Sequence, residues 1–411
     1  MYKTQIQQLH NLSKEQYQLL RELCWHAARL YNYGLYITRK QWFQTKTFLR
    51  YNENYHNCKT NENYKILPAV IGQQTLKIVD RSMRSFIGLL KLGKKQGISS
   101  QVTAPGYLHK DDYFMLIIPN NGFQIKNRKL NIGISRGLKE KTGMKNLVFS
   151  FPKNIDPELV KEIRIHPKHN AHYFTMEVVY EVKEKERTKE DGILGIDIGL
   201  NNLATCWDSK NNRSFIIDGR KAKSINHYWN KRNAELQSIK DKQGYKHYTK
   251  QQFLNTRKRN CRVKDYIHKA SRIIINYCLE NDIGKIVVGH NNGWKESINL
   301  GKRNNQNFVQ IPFGKLMECL NYKCIEAGLE YQEICESHTS KCSFIDLEKI
   351  KHHDEYDGRR LKRGLFKSKN SILVNADVNG AANIVRKVTG DYSLNNDQIK
   401  GFVANPVRLI A

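Results

Sequence analysis

Residues 194–199, L-G-I-D-I-G, set one acid inside an apolar run that stops at a glycine. Leu194, Ile196 and Ile198 surround Asp197, and Gly199 with Asn201 and Asn202 ends the run. A buried strand reads this way when it delivers a single carboxylate at its carboxyl end. Far downstream, N-A-D-V-N-G-A-A-N at 375–383 places Asp377 ahead of Val378, Ala381, Ile384 and Val385. That is helical apolar spacing, and it aims the acid from a helix start. Two carboxylates on rigid elements can share a divalent metal, the arrangement expected of a phosphodiester-cleaving site. Taken singly, each has a plainer reading: Asp197 caps a turn, and Asp377 is a helix N-cap.

Charge narrows the choice of partner. The chain carries 69 Lys+Arg against 39 Asp+Glu, a net charge of +30 over 411 residues. Such an excess points to a polyanion, because it otherwise costs self-repulsion. Nucleic acid leads over an anionic membrane, since no basic amphipathic helix with a Trp/Phe/Leu face stands out. No apolar run approaches the roughly 18–20 residues that span a bilayer. Met1–Gln5 lacks the apolar core of a signal peptide, so a cytoplasmic, nucleoid-associated protein without a membrane partner is expected. A hydrophobic fraction of 39% supports real cores and excludes a disordered polycation. The nine cysteines include no C-x-x-C pair, so reduced thiols and no zinc are expected.

Periodicity divides the chain. Residues 1–10 read as a lone strand. Leu19, Leu20, Leu23, Ala27 and Leu30 then recur at helical spacing, followed by Tyr31, Tyr33, Tyr36 and Trp42 interleaved with Arg29, Arg39, Lys40 and Arg50. Aromatics alternating with cations suit a nucleic-acid backbone and its unstacked bases, and helix packing explains the aromatics almost as well. A second helix is expected from about Pro68 to Leu92. Between Pro105 and Val182 the period becomes two, in six short runs separated by Pro, Gly and Asn turns. This predicts a small antiparallel barrel over 1–10 and 101–182, with 11–100 as a helical insertion.

After the charged linker Lys183–Glu190, strands alternate with helices, the pattern of an α/β sheet. Gly195–Thr205 is expected as its first strand. Residues 220–264 form a basic helical stretch with 14 Lys/Arg and only Glu235 and Asp241 as acids, a bias that favours a phosphate-facing surface. The strand Lys285–Gly289, the helix Lys315–Ala327 and the strand Leu329–Cys335 follow, leading to Glu336.

With these elements placed, the chain resembles the transposon-encoded TnpB family, compact RNA-guided nucleases related to the type V CRISPR effectors. G-I-D-I-G-L-N-N-L-A-T at 195–205 is similar to the first RuvC motif. T-S-K at 339–341 is similar to the family's T-S-Q/K stretch, and A-D-V-N-G-A-A-N-I at 376–384 to the third motif. The resemblance implies an α+β multidomain chain: an oligonucleotide-binding-like wedge barrel with a helical recognition insertion, then an RNase H-like RuvC domain over 183–388 and a tail over 389–411. It also implies a guide RNA made from the element's own end, a double-stranded DNA target with an adjacent motif, and Asp197 and Asp377 as metal ligands. Oligomeric state is left open.

Two departures matter. Most family members end the strand corresponding to Lys285–Gly289 in a glutamate, the third metal ligand; here that position is Gly289, followed by His290. The family's zinc ribbon of two C-x-x-C pairs is missing, with only Cys342 between Thr339 and Asp377. Residues 342–374 are therefore expected as a basic loop.

A two-metal site needs a third acid. Glu336 starts one strand, roughly 4.8 Å, from the vacated position, a gap that a glutamate side chain spans. Glu333 competes on the same strand, but the pleat sends it to the other face. Glu296, Asp346 and Glu348 are weaker options on loops. Two readings follow. Either Asp197, Glu336 and Asp377 hold two Mg2+ ions in a working nuclease, or Glu336 merely ends a strand and the protein is a nuclease-dead, RNA-guided binding factor. A weaker third reading is an RNA-binding regulator of transposition. His290 is read as a phosphate or backbone contact or as having no role. Lys341, Arg359 and Arg360 are read as phosphate-facing or simply exposed.

Overall fold

The computed structural model describes residues 1–96, 102–291, 310–392, 394 and 396–411. They divide between Val182 and Lys183 into two compact units.

The first unit begins with β1 (Tyr2–Gln8) and four helices: α1 (Lys14–Thr45), α2 (Tyr51–Cys58), α3 (Glu62–Ile66) and α4 (Ala69–Gln96). Ser13 opens α1 through a capping box with Gln16, which satisfies two backbone donors at the helix start. Six strands and one helix follow: β2 (Leu116–Pro119), β3 (Phe123–Lys126), β4 (Lys129–Gly133), α5 (Arg136–Thr142), β5 (Asn146–Ser150), β6 (Val160–Lys168) and β7 (Tyr173–Glu181). They form a four-stranded antiparallel sheet, β1-β7-β6-β2, and a three-stranded one, β3-β4-β5.

The predicted closed barrel is not found among the described residues. The two sheets share a core in which Leu130, Ile132 and Phe149 join Ile163, Ile165, Phe174 and Met176, with Leu20 and Leu23 of α1. No backbone ladder joins β1 to β5. That seam is bridged by side chains: Gln7 Nε2 donates to the Ser150 carbonyl at 3.0 Å, and Gln5 Nε2 to Asn154 Oδ1 at 3.2 Å. Alternation alone does not distinguish ladder closure from closure by side chains.

The second unit is built on a six-stranded sheet in the order β12-β11-β8-β9-β10-β16. The strands are β8 (Gly192–Ile198), β9 (Asn202–Asp208), β10 (Arg213–Asp218), β11 (Ile283–Gly289), β12 (Glu330–Ile334) and β16 (Val407–Leu409). β12, β11 and β8 run parallel, β9 is antiparallel to both its neighbours, and β16 is parallel to β10. The single strand expected over Gly195–Thr205 is thus two, because the chain turns at 199–201 and pairs Ile198 with Ala204.

Among the described residues, three helices cover the sheet. α7 (Lys250–Glu280) and α8 (Phe313–Ala327) pack on one face against Leu194, Ile196 and Ile198; α9 (Ala376–Thr389) packs on the other with Trp207 and Phe344. The basic stretch is a helical hairpin of α6 (Arg220–Lys242) and α7, broken where Gly244 adopts φ +67°. Gln252 Nε2 donating to Gln237 Oε1 and Trp229 Nε1 to Thr256 Oγ1 hold the hairpin antiparallel.

Two further expectations are corrected. Residues 342–374, expected as a loop, hold most of a small antiparallel sheet, β13 (Arg359–Lys362), β14 (Leu365–Lys367) and β15 (Leu373–Asn375), whose strands are too short to alternate visibly. Residues 389–411 are no mere tail: Ile399 and Val403 are buried beside α9, and β16 extends the sheet. No described helix is long and apolar enough to cross a membrane.

Candidate nuclease centre

The pleat decides which way Asp197 faces. Leu194, Ile196 and Ile198 belong to the α7/α8 core, so Gly195 and Asp197 face α9. Glycine is required at 195: a Cβ there lies 2.4 Å from the Ala381 carbonyl oxygen and 2.5 Å from Val385 Cγ2. At the other side of the contact, a Cβ on Gly380 lies 3.0 Å from Asp197 Oδ2. Small residues on both elements press the start of α9 onto the end of β8, and Asp377 sits in the first turn of that helix.

Asp377 is not the N-cap. Asn375 is, its Oδ1 accepting from the N–H groups of Asp377 at 3.0 Å and Val378 at 3.1 Å. The carboxylate of Asp377 is left for other partners: Asn202 Nδ2 donates to Oδ2 at 2.6 Å, and Arg360 Nη2 to Oδ1 at 2.9 Å.

The third acid arrives from the sheet's parallel end. Gly289 pairs with Ile334, and His290 donates its N–H to the Ile334 carbonyl at 2.8 Å. Two residues on, the Cβ of Glu336 stands 3.2 Å from where a Gly289 Cβ would be. Asn291 fixes this acid at both ends: Nδ2 donates to Glu336 Oε1, and Oδ1 accepts the Glu336 N–H, each at 3.2 Å. Lys387 of α9 donates to the carbonyls of Cys335 and Ser337, both at 2.8 Å, clamping the main chain around it.

Electrostatics join the three acids. Asp197 is pushed well above the usual carboxylate range, first by desolvation, then by the charges of Asp377 and Glu336, while Arg360 acts in the opposite sense. Desolvation also raises Glu336, against the pull of Lys387. A site whose acids repel one another this way gains by taking up cations. Beside it opens a cleft of about 330 Å³ that Asp197 and Asp377 share with Arg220, Arg360, Arg363 and Arg408. Asp218 pairs with two of these arginines, at 2.5 Å from Arg220 and 3.6 Å from Arg408.

The other sequence candidates lie elsewhere. Glu333 is exposed and accepts from the Tyr331 hydroxyl at 2.9 Å. Asp346 and Glu348 belong to a separate hydrogen-bonded turn around Ser343. Lys341 lies over the Tyr356 ring, and Arg359 is exposed. Glu296 falls outside the described residues. Sequence reasoning did not single out Asn202, Asn291, Arg220 or Arg408. Asn202 stood within the quoted 195–205 motif and Arg220 opens the basic stretch 220–264, so roles beside the acid and toward phosphate were open to inference; Arg408 carries no local signal.

Comparison with known proteins bears on both halves of this centre. Residues 177–295 match a family model described as a probable transposase of the OrfB/IS605 type. Residues 313–384 match a Cas12f1-like TNB domain. The TnpB-like protein ORF457 of Acidianus two-tailed virus is 23% identical over 408 residues, covering 90% of this chain and 83% of that protein. Together these matches make the chain similar to TnpB-type proteins over most of its length. The first matched region contains Asp197 and Gly289, and the second contains Glu336 and Asp377. Among solved structures, a cryo-EM Cas12f1–sgRNA–target DNA complex is similar in fold, with a TM-score of 0.63, 16% identity, and coverage of 90% of this chain and 83% of that one. The mini-RNA-guided endonuclease CRISPR-Cas_phi3 is similar as well, with a TM-score of 0.52, 10% identity, and coverage of 94% and 92%.

Proposed function

We propose that this chain is an RNA-guided DNA endonuclease in which Asp197, Glu336 and Asp377 hold two Mg2+ ions. The second unit then acts as the RNase H-like RuvC nuclease, and the first as the wedge and recognition region. The observation that carries the reading is the convergence of three acids, 180 residues apart at the extremes, on the α9 face of one sheet end. The position vacated at Gly289 is filled from the neighbouring strand by Glu336. Guide RNA from the element's end supplies sequence specificity, and the protein reads a short flanking DNA motif, as in larger guided effectors.

The donor set suits hard divalent cations, since every group is a carboxylate oxygen. When bound, the metal pair supplies an activated water for in-line attack and stabilises the leaving 3′ oxygen. The chain's own residues do the positioning. Asn202 and Arg360 hold the two oxygens of Asp377, Asn291 holds Glu336, and the arginines of the cleft are placed to receive phosphate oxygens. The α6–α7 hairpin extends a positive surface from the same unit.

The test is plasmid cleavage with Mg2+ by protein co-purified with RNA from its element's end, against a target library with a randomised flank. Wild type is expected to cut; Asp197→Ala and Glu336→Ala are expected to bind the guided target without cutting. Retained cutting by Asp197→Ala sinks the site assignment. Guided binding by all three without cutting makes this a nuclease-dead targeting factor.

A further inference from the structure

We propose that Cys342, Glu348 and His353 form a zinc site that clips together the segment between β12 and β13, apart from the nuclease centre and whether or not that centre cuts. Residues 339–358 form turns and bends without a helix or strand. Even so, Cys342 and Ser343 are fully buried and Glu348 nearly so. A stretch of this length without regular structure is uncommon inside a compact domain unless something ties it down.

Part of the tie comes from α9. Asn379 Nδ2 donates to the Cys342 carbonyl at 2.9 Å, Asn383 Nδ2 to those of Thr339 at 2.9 Å and Cys342 at 2.8 Å, and Arg386 Nη1 to that of Glu348 at 3.2 Å. These bonds anchor the first half of the segment and leave the return through 349–353 to other contacts.

At the centre of that return, the Cys342 Sγ, a Glu348 carboxylate oxygen and a His353 ring nitrogen all lie within 4.8 Å of one another. His353 Nε2 is 3.9 Å from Glu348 Oε1. Ligand atoms at ordinary zinc distances stand roughly 3.5 Å apart in a tetrahedron, so the group closes on an ion by about 1 Å of side-chain movement. Glu348 is already oriented: Oε2 accepts the Ser343 N–H at 2.7 Å and Oε1 the Asp357 N–H at 3.1 Å, the outer contacts that a ligating carboxylate needs. The thiol has only weak partners, the carbonyls of Lys349 at 3.5 Å and Lys351 at 3.6 Å.

The ligand chemistry selects the ion. A thiolate, an imidazole and a carboxylate suit zinc and disfavour magnesium, which wants oxygen alone. Binding releases the Cys342 proton to solvent. His353, whose Nε2 lies 2.7 Å from the Lys349 carbonyl, turns that nitrogen's lone pair to the ion and keeps its proton on Nδ1. The fourth position goes to water, since no fourth Cys, His, Asp or Glu joins the group among the described residues. The sequence expects no zinc because the linear pattern C-x5-E-x4-H contains no C-x-x-C; the turn at 343–348 makes the cluster.

The test uses the full chain, with its co-purified RNA, dialysed against metal-free buffer and analysed for zinc. Wild type and Asp197→Ala are expected to retain one zinc per chain, and Cys342→Ala and His353→Ala to lose it. Cobalt substitution of wild type is expected to give a thiolate-to-cobalt charge-transfer band that Cys342→Ala lacks. His353 is partly exposed, so His353→Ala still decides the matter if Cys342→Ala does not fold. Zinc well below one per chain in wild type, zinc retained in either ligand variant, or a cobalt spectrum without the thiolate band overturns the proposal.

Discussion

The two ends of the candidate centre are built by opposite means. At the β8–α9 junction, bulk is removed: Gly195 lets the helix backbone touch the strand, and Gly380 leaves room for the Asp197 carboxylate. At the β11–β12 end, the acid comes from the neighbouring strand's end. Gly289 carries nothing, Ile384 fills the space above it, and Glu336 enters from the adjacent strand. The first device depends on backbone proximity and tolerates no Cβ. The second depends on side-chain reach and has slack. If all three acids hold metal as proposed, the third is the one whose strand is free to change, whereas the first two are fixed by how the helix meets the sheet.

Alanine at the two glycines breaks this comparison most directly. In Gly195→Ala the new methyl meets a main-chain carbonyl at 2.4 Å, and a helix must move; a loss of about 3 kcal/mol is expected. In Gly289→Ala the same distance is to Ile384 Cδ1, the tip of a flexible side chain, and about 1 kcal/mol is expected. In thermal melts that corresponds to drops of roughly 6–12 °C and 2–4 °C for a unit of this size. Equal losses at both sites remove the distinction between backbone and side-chain construction.

The positioning asparagines sharpen it. Asn202 holds Asp377 and Asn291 holds Glu336, the Asn291 Oδ1 also accepting from the Cys335 thiol at 3.3 Å. If both acids are ligands, Asn202→Ala and Asn291→Ala each lower guided cleavage by about 10–100-fold without lowering guided DNA binding. A loss in Asn202→Ala alone, with Asn291→Ala cutting like wild type, leaves Glu336 as a strand end with no part in catalysis.

What could be read from sequence follows the same division. Asp197 and Asp377 sit in local patterns, a period of two around one and helical spacing behind the other, and local patterns survive in one dimension. Glu336 was reached only through the neighbouring position of its strand, a step of topology added to periodicity. The arginines of the cleft come from a helix start, a hairpin and the last strand, and nothing local links Arg220 to Arg408. The same limit explains the barrel: β1 to β7 gave alternation, but whether the last edge closes by N–H···O bonds or by Gln5 and Gln7 is a property of the third dimension. Short polar strands such as Arg359–Lys362 bury too little to leave a pattern.

The smallest expected effect is a pH slope, and it weighs the two ends against each other in the absence of metal. Asp197 keeps a raised affinity for its proton in the fold through desolvation, then Asp377, then Glu336. Over the range where the unfolded chain has released that proton and the folded chain still holds it, raising the pH favours unfolding. The stability of chelator-treated protein should therefore fall as pH climbs from the ordinary carboxylate range toward the raised value for Asp197, by no more than about 1.4 kcal/mol per pH unit for one proton, and level off beyond it. Asp197→Asn removes this contribution. Asp377→Asn and Glu336→Gln each remove one repelling charge and narrow the window, the former more because its charge has the larger influence on Asp197. Melting temperatures from about pH 4 to 7 measure all four proteins. If Glu336→Gln leaves the slope unchanged while Asp377→Asn flattens it, Glu336 is electrostatically remote from Asp197, and the centre has two acids where the proposed chemistry needs three.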